Sequence, residues 1–326
     1  MKIAVVGAGA MGSIYAALLS DAGHSVWAVD PNAAHVDAIN RHGLRLTGPQ
    51  GSRVYRRLRA VRQVEEIITG SEARSGAATP MDWIILATKA AHVPAAVQGL
   101  RPILGPQSLL LAMQNGLGAA ERVFDNLQMA EGDQPRPHVA LGVAQGFGAA
   151  MLEPGSVRFA AMKLMRFGEV VDGASPAMEA VASVWRDAGF DAQAFANLGQ
   201  LIWEKFICNV ALSGPCTVFE KSVGEMKASP EQWQVALNCG LEAFRVGLAL
   251  GVPFSFDDAG DYISAFADSV ADAKPSMLQD FEAGRRSEID AINGRVPIEG
   301  HRVGVLTPWN TVVSEIVRAK EAEFLS

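Results

Sequence analysis

The sequence predicts an α/β fold, an N-terminal doubly wound parallel sheet followed by an all-helical C-terminal domain. Three observations predict it. An apolar run, Lys2–Val6, leads into Gly7-Ala-Gly-Ala-Met-Gly12 and a helical pattern over Ala10–Ala22, the context in which a G-x-G-x-x-G carries meaning. Apolar runs and helical patterns then alternate to about residue 195, as βαβ units do. Beyond that point the pattern is helical almost throughout. At 326 residues the chain is long for one core, so two domains, 1–195 and 196–326, are expected.

In the first domain, strands are expected at Ile3–Val6, Val26–Val29, Trp83–Ala87, Leu109–Met113 and Val139–Val143. Helical patterns between them include His35–Arg41, Val93–Leu100 and Gly118–Phe124. Small and polar residues from Thr69 to Pro80 mark a surface loop. Val157–Ala160 and Lys163–Phe167 read as two strands joined by a turn, an antiparallel extension of the sheet. A helix at Ala177–Ala188 and a short strand at Phe190–Ala194 follow. In the second domain, helices are expected at Leu198–Leu212, Pro230–Leu250, Asp257–Ala271, Met277–Ala283 and Asn310–Glu323. Gly214-Pro215, Gly251-Val-Pro253 and Lys274-Pro275 read as breaks.

Bulk properties exclude several classes. The net charge of −7, from 28 basic and 35 acidic residues, speaks against nucleic acid or an anionic membrane as partner. The arginines between Arg53 and Arg62 read as a solvated strand face. The first strand begins at Lys2, so no signal peptide is expected, and no apolar stretch reaches the ~20 residues of a membrane span. Cys208, Cys216 and Cys239 lack metal-ligand spacing and read as buried free thiols of a reducing cytoplasm. No metal site is expected. The apolar helix Val235–Leu250 could pair in a homodimer.

Gly7 allows a tight turn, Gly9 lets backbone approach a pyrophosphate, and Gly12 lets helix pack on strand. The phosphates would sit on the helix N-terminus, at Ala10 and Met11. Asp30 closes the next apolar run, eighteen residues after Gly12. An acidic residue there accepts from ribose hydroxyls and repels a 2′-phosphate, favouring NAD over NADP. In Asp30-Pro31-Asn32 it also fits a helix N-cap with Pro31 at the first helical position. Arg41 and Arg45 downstream keep NADP open.

Candidates for chemistry come from four segments. Lys205 and Asn209 are four apart on one helix face, and Ser213 continues it among apolar neighbours. Such polar groups are costly unless paired or serving a ligand, although a snorkelling lysine beside a core asparagine fits as well. Glu288 lies near Arg285 and Arg286, with which it could form local ion pairs. Asn115 and Lys89 follow apolar strands, at the carboxyl edge where ligands bind in such sheets; Asn115 before Gly116 also fits a plain turn.

Through Gly7-Ala-Gly-Ala-Met-Gly12, Lys89, Asn115-Gly116, Trp203-x-Lys205-x-x-x-Asn209, Ser276-Met-Leu-Gln-Asp280 and Glu288-Ile-Asp-x-Ile-Asn-Gly294, the chain resembles the ketopantoate reductase family along essentially its whole length. The resemblance implies a Rossmann domain plus an all-helical domain. It implies nicotinamide-dependent reduction of a 2-oxo acid to a 2-hydroxy acid, as in pantothenate biosynthesis. It makes Lys205 the general acid and has Glu288 bind the substrate hydroxyl and support the lysine. Ser276 then holds the substrate carboxylate, and Asn115 lies near the nicotinamide and the reacting centre.

Three positions depart from the family pattern. Ser213 and Ala273 stand where asparagines usually serve the pantoate end, and Asp30-Pro31-Asn32 stands where an arginine usually meets the 2′-phosphate. Either 2-dehydropantoate 2-reductase activity or that of a close relative with an altered 2-oxo acid substrate is therefore expected, with NAD preferred over NADP as cofactor. A β-hydroxyacid or opine-type dehydrogenase and a non-catalytic NAD-binding sensor are the alternatives.

Overall fold

The computed structural model describes residues 1–69, 80–127, 137–145, 148–159, 164–170 and 175–325. Most of the loop expected between Thr69 and Pro80, and the turn expected after Ala160, lie outside them. The chain divides into two compact units, Met1–Gln114 with Ala119–Leu198, and Asn115–Gly118 with Gly199–Ser326. The switch thus falls after Leu198, and a four-residue segment following a strand of the first unit belongs to the second.

The first unit holds strands β1 (Lys2–Val6), β2 (Ser25–Val29), β3 (Leu44–Gly48), β4 (Gly51–Tyr55), β5 (Arg59–Val61), β6 (Trp83–Leu86), β7 (Leu109–Ala112), β8 (His138–Gln145), β9 (Ala149–Glu153), β10 (Ser156–Phe159), β11 (Leu164–Glu169) and β12 (Ala192–Ala194). Its helices are α1 (Ala10–Asp21), α2 (Ala33–His42), α3 (Glu65–Thr69), α4 (Val93–Gln98), α5 (Ala119–Phe124) and α6 (Pro176–Asp187). Eight strands form one sheet in the order β12-β11-β8-β7-β6-β1-β2-β5, parallel except where β11 meets β8. Side chains alternate between two cores. Ile3 and Val5 pack with Tyr15, Leu19 and Trp185, while Ala4 and Val6 pack with Val93, Val97, Leu100 and Val123. Burial on both faces explains why these strands read as continuous apolar runs.

A second sheet, β4-β3-β10-β9, corrects the sequence expectation. The strand at Val157 does not form a hairpin with the strand at Phe167. β10 pairs parallel with β3 and antiparallel with β9, whereas β11 joins the large sheet through β8. Strand pairing is decided by distant partners, and β3 and β9 are short and partly polar. Arg53 on β4 pairs with Asp21, Arg62 pairs with Asp37, and the Arg59 guanidinium lies over the Trp27 ring.

The second unit is helical: α7 (Leu198–Phe219), α8 (Val223–Lys227), α9 (Pro230–Ala249), α10 (Ala259–Ser269), α11 (Ser276–Glu282), α12 (Arg295–Val303) and α13 (Pro308–Leu325). Gly214-Pro215 is not a break, because α7 runs through it. A proline inside a helix removes one donor, here the one that would reach the Ala211 carbonyl. Lacking a Cβ, Gly214 lets the Asn293 side chain lie against the helix, since a Cβ would stand 2.5 Å from Asn293 Oδ1. Asn293 Nδ2 donates to the Val210 carbonyl at 2.8 Å. The apolar face of α9 is used by its own core through Ala236, Cys239, Ala243 and Val246, leaving Leu248 and Leu250 exposed. All three cysteines are free and buried, and burial pushes the Cys208 and Cys216 thiols up to about 12. Among the described residues, no helix is long and apolar enough to cross a membrane, and no cluster of side chains has the make-up of a metal site.

Candidate active site

In the first unit the functional edge is made of backbone. Gly7 has φ +92° and a Cβ there would stand 2.5 Å from Thr88 N, so only glycine lets the turn pass beside the end of β6. A Cβ on Gly12 would stand 2.1 Å from the Gly7 carbonyl oxygen, so α1 starts hard against the turn. Among the described residues, a Cβ on Gly9 meets nothing within 4 Å. Gly9 therefore answers to what approaches from outside, as a pyrophosphate would. The Gly7 and Ala8 amides are anchored on the Val29 carbonyl at 2.9 and 3.0 Å. The first amides of α1, from Ala10 and Met11, have no carbonyl one turn back within the helix and carry the positive end of its dipole.

Asp30 is half-buried at the end of β2. It is not the helix cap. Asn32 caps α2 by accepting from His35 N, and α2 begins at Ala33, not Pro31. Asp30 Oδ1 accepts a short-range bond from Asn32 N at 3.0 Å. Lys89 follows β6 and is half-buried. At the same carboxyl edge Gln114 Nε2 donates to the Leu86 and Thr88 carbonyls, at 2.8 and 3.2 Å. Gln114 Oε1 and Thr88 Oγ1 are buried without a hydrogen-bond partner among the described residues. Buried polar atoms are rarely left so. The open face at Gly9, the acidic residue ending β2 and these two orphaned oxygens fit a bound dinucleotide.

In the second unit three distant segments meet. Lys205 Nζ donates to Asn115 Oδ1 at 2.8 Å, across ninety residues of sequence. Burial pushes the Lys205 ammonium down to about 8, against the opposing field of Glu288, which favours the charged form. Gly116, at φ +79°, would place a Cβ 2.2 Å from the Ala291 carbonyl oxygen, so only glycine lets the Asn115 segment dock beside residues 289–291. Glu288 itself precedes a single 3₁₀ turn, Ile289–Ala291. Its segment is fastened on either side. Ser287 N donates to the buried Glu321 carboxylate at 3.0 Å, and Asn293 binds α7 as described. The neighbouring arginines reach other carboxylates, Arg285 to Asp280 and Arg286 to Asp290.

The remaining candidates divide by position. Asn209 and Ser213 continue the Lys205 face of α7, Asn209 half-buried and Ser213 buried. Ser276 is exposed at the first position of α11, and Ala273 is exposed in the loop before it. Sequence reasoning gave no role to Asn293, Asn310 or Glu242. Asn293 Nδ2 also donates to Asn310 Oδ1, and Asn310 Nδ2 donates to Glu242 and to the Cys239 carbonyl. Asparagines within apolar helical runs are the signal that could have drawn attention to this buried network.

A dinucleotide turn on a doubly wound sheet, together with a helical unit carrying a lysine whose proton is loosened by burial, defines an oxidoreductase that uses a nicotinamide dinucleotide. The chain belongs to the ketopantoate reductase family: the model of ketopantoate reductase PanE/ApbA matches residues 3–172, and that of its C-terminal part matches residues 197–321. It is 28% identical over 324 residues to the 2-dehydropantoate 2-reductases of Streptococcus pyogenes and Pyrococcus abyssi, covering 99% of this chain and 98% of each relative. Among solved structures it is similar to a PanE/ApbA family ketopantoate reductase from Ralstonia eutropha, with TM-score 0.87, 25% identity and full coverage of both chains. It is equally similar to a D-mandelate dehydrogenase in a ternary structure with NADH and anilino(oxo)acetate, with TM-score 0.86, 26% identity and full coverage of both chains.

Proposed function

We propose that the protein reduces a 2-oxo acid to a 2-hydroxy acid with NADH, and that Lys205, held by Asn115 and Glu288, donates the proton. The carrying observation is the Lys205–Asn115 hydrogen bond at 2.8 Å beside Glu288. The bound nicotinamide supplies the hydride. Gly7, Gly9, Gly12 and the Ala10 and Met11 amides would hold the pyrophosphate, Asp30 the adenosine ribose, and Lys89 and Asn115 the nicotinamide end. As hydride reaches the carbonyl carbon, charge builds on the carbonyl oxygen. The Lys205 ammonium stabilises that charge and gives it a proton, and solvent then returns a proton to the neutral amine. Asn115 fixes the direction of the ammonium, and Glu288 keeps it charged at neutral pH. Ser276 would hold the substrate carboxylate, with Asn209 and Ser213 along the rest of the substrate.

Asp30, whose carboxylate is not spent on capping α2, supports NADH over NADPH. For the substrate, Ser213 and Ala273 lack the amide groups that family members use at the pantoate end, so the distal part of the site suits a bulkier, less polar group. The similarity to a D-mandelate dehydrogenase holding a phenyl-bearing oxoacetate supports the same direction. Three free thiols agree with work in the cytoplasm. The exposed Trp309, Val312 and Ile316 on α13 agree with a homodimer, which mass in solution tests. The deciding experiment is steady-state reduction of 2-dehydropantoate, phenylglyoxylate and short aliphatic 2-oxo acids with NADH and NADPH. The expected result is NADH turnover with the apolar acid ahead of 2-dehydropantoate. Preference for 2-dehydropantoate by a wide margin removes the altered-substrate reading, and no turnover of any 2-oxo acid removes the reaction.

A further inference from the structure

His35 is buried in the first unit, at 1% exposure, on a helix face where its apolar neighbours Val36 and Ile39 point into the core. Both ring nitrogens are engaged. The Gly155 amide donates to His35 Nδ1 at 2.9 Å, so Nδ1 carries the lone pair and Nε2 carries the hydrogen. Nε2 lies 3.2 Å from Ser13 Oγ. The Ser13 hydroxyl spends its own hydrogen on the Ala8 carbonyl at 2.8 Å, so its oxygen receives the His35 Nε2–H. Donors and acceptors therefore run in one direction, from Gly155 through His35 and Ser13 to Ala8, with every hydrogen assigned.

The two ends of this chain are rigid in different ways. Gly155 has φ +78° in the turn between β9 and β10, and a Cβ there would stand 2.9 Å from Ala38 Cβ on α2. Its carbonyl accepts from Arg45 N on β3 at 2.8 Å, which ties the turn into the small sheet. Ala8 lies between Gly7 and Gly9. Its amide is fixed on Val29, and its carbonyl is fixed by Ser13. Fixing that carbonyl sets the plane of the Ala8–Gly9 peptide, and with it the direction of the Gly9 amide that precedes the first turn of α1. Burial draws the His35 pKa below its ordinary value, against the field of Asp30 and a hydrogen-bonding contribution from the Ala8 backbone, which keeps the imidazole in the neutral form this pattern needs.

We propose that His35 is a positioning residue for the dinucleotide, acting through Ser13 to hold the Ala8–Gly9 peptide in the orientation that receives the pyrophosphate. The inference rests on the cofactor reading given above and deepens it. It assigns a dinucleotide-binding role to two side chains outside the glycine fingerprint, and makes the small sheet a brace for the phosphate turn.

The test is NADH binding, followed by nicotinamide fluorescence, with steady-state kinetics on the full chain. The variants are His35→Leu, Ser13→Ala, the double variant, and His35→Gln, whose amide keeps a donor toward Ser13. His35→Leu and Ser13→Ala are expected to weaken NADH binding about tenfold each, the size of one lost hydrogen bond in a buried chain. Turnover at saturating NADH, and KM for the 2-oxo acid, should stay within about twofold, because neither residue belongs to the Lys205 set. The double variant should be no weaker than either single one, since both break the same chain. His35→Gln should recover most of the affinity. A folded His35→Leu that binds NADH as the wild type does overturns the proposal, as does a loss of thermal stability with unchanged affinity. If His35→Leu does not fold, Ser13→Ala, which deletes one hydroxyl, decides in the same way. Wild-type protein that binds neither NADH nor NADPH overturns the cofactor reading itself, whereas wild type that binds and variants that bind equally overturn only the role of His35.

Discussion

Around Gly7 to Gly12 the groups proposed to meet a ligand are backbone amides, and around Lys205 they are side chains. The first set needs glycine at three positions, two of them because a Cβ would collide with the protein's own backbone. The second needs an asparagine, a lysine and a glutamate from segments ninety and eighty-three residues apart, brought together by the helical unit. A backbone site is specified within a dozen consecutive residues, so it tolerates change elsewhere and fails on a single added methyl. A side-chain site depends on every element that aims its members, here including Gly116 against Ala291 and Asn293 against Val210. The difference teaches where each half of the protein is fragile.

The comparison breaks most sharply at Lys205. Lys205→Ala should lower turnover by about 10²–10⁴-fold, the usual contribution of a general acid, with NADH affinity unchanged. Single-turnover rates beside a binding titration check this, and near-normal turnover would remove Lys205 from the proton-donor role.

Two glycine variants sharpen the backbone side. Gly12→Ala puts a methyl 2.1 Å from the Gly7 carbonyl oxygen and should cost about 1–3 kcal/mol of stability or more, with loss of dinucleotide binding. Gly9→Ala meets open space at φ −64°, so stability should stay within about 1 kcal/mol of wild type while NADH binding weakens by about tenfold or more. Thermal melts and binding titrations on the pair separate the two effects, and equal melting losses would contradict the assignment of Gly9 to the ligand side.

The charge on Lys205 gives a pH signature. Reduction needs the ammonium, whose pKa is pushed down to about 8, so log kcat should be flat below that value and fall about tenfold per pH unit above it. The reverse oxidation needs the neutral amine and should rise over the same range. Glu288 favours the charged form, so Glu288→Gln should move the falling limb to lower pH. A limb that stays in place in that variant would show that Glu288 does not act on the lysine.

The smallest expected effect is at the ribose. On the proposed reading, Asp30→Ser removes a carboxylate that would repel a 2′-phosphate and should shift the NADH/NADPH ratio of kcat/KM by about tenfold toward NADPH. An unchanged ratio would mean that Asp30 serves only its turn with Asn32.

The sequence by itself determined what local chemistry and periodicity encode. Strands buried on both faces announced themselves as apolar runs, and Lys2–Val6, Trp83–Leu86 and Leu109–Ala112 lie where those runs predict. The glycine turn was legible because positive φ and close backbone approach leave one residue type to choose, and the family was legible in spaced motifs. Tertiary structure alone decided the rest. β10 left its neighbour in sequence for the small sheet, since strand pairing is a choice among distant partners. α7 ran through Gly214-Pro215, where a local rule would break it, with the Asn293 side chain packed on Gly214 and donating to the Val210 carbonyl. The pairing of Lys205 with Asn115, and the lowered affinity of that lysine for its proton, depend on desolvation and on charges from other segments. Those quantities belong to the packed interior, and no window of consecutive residues contains them.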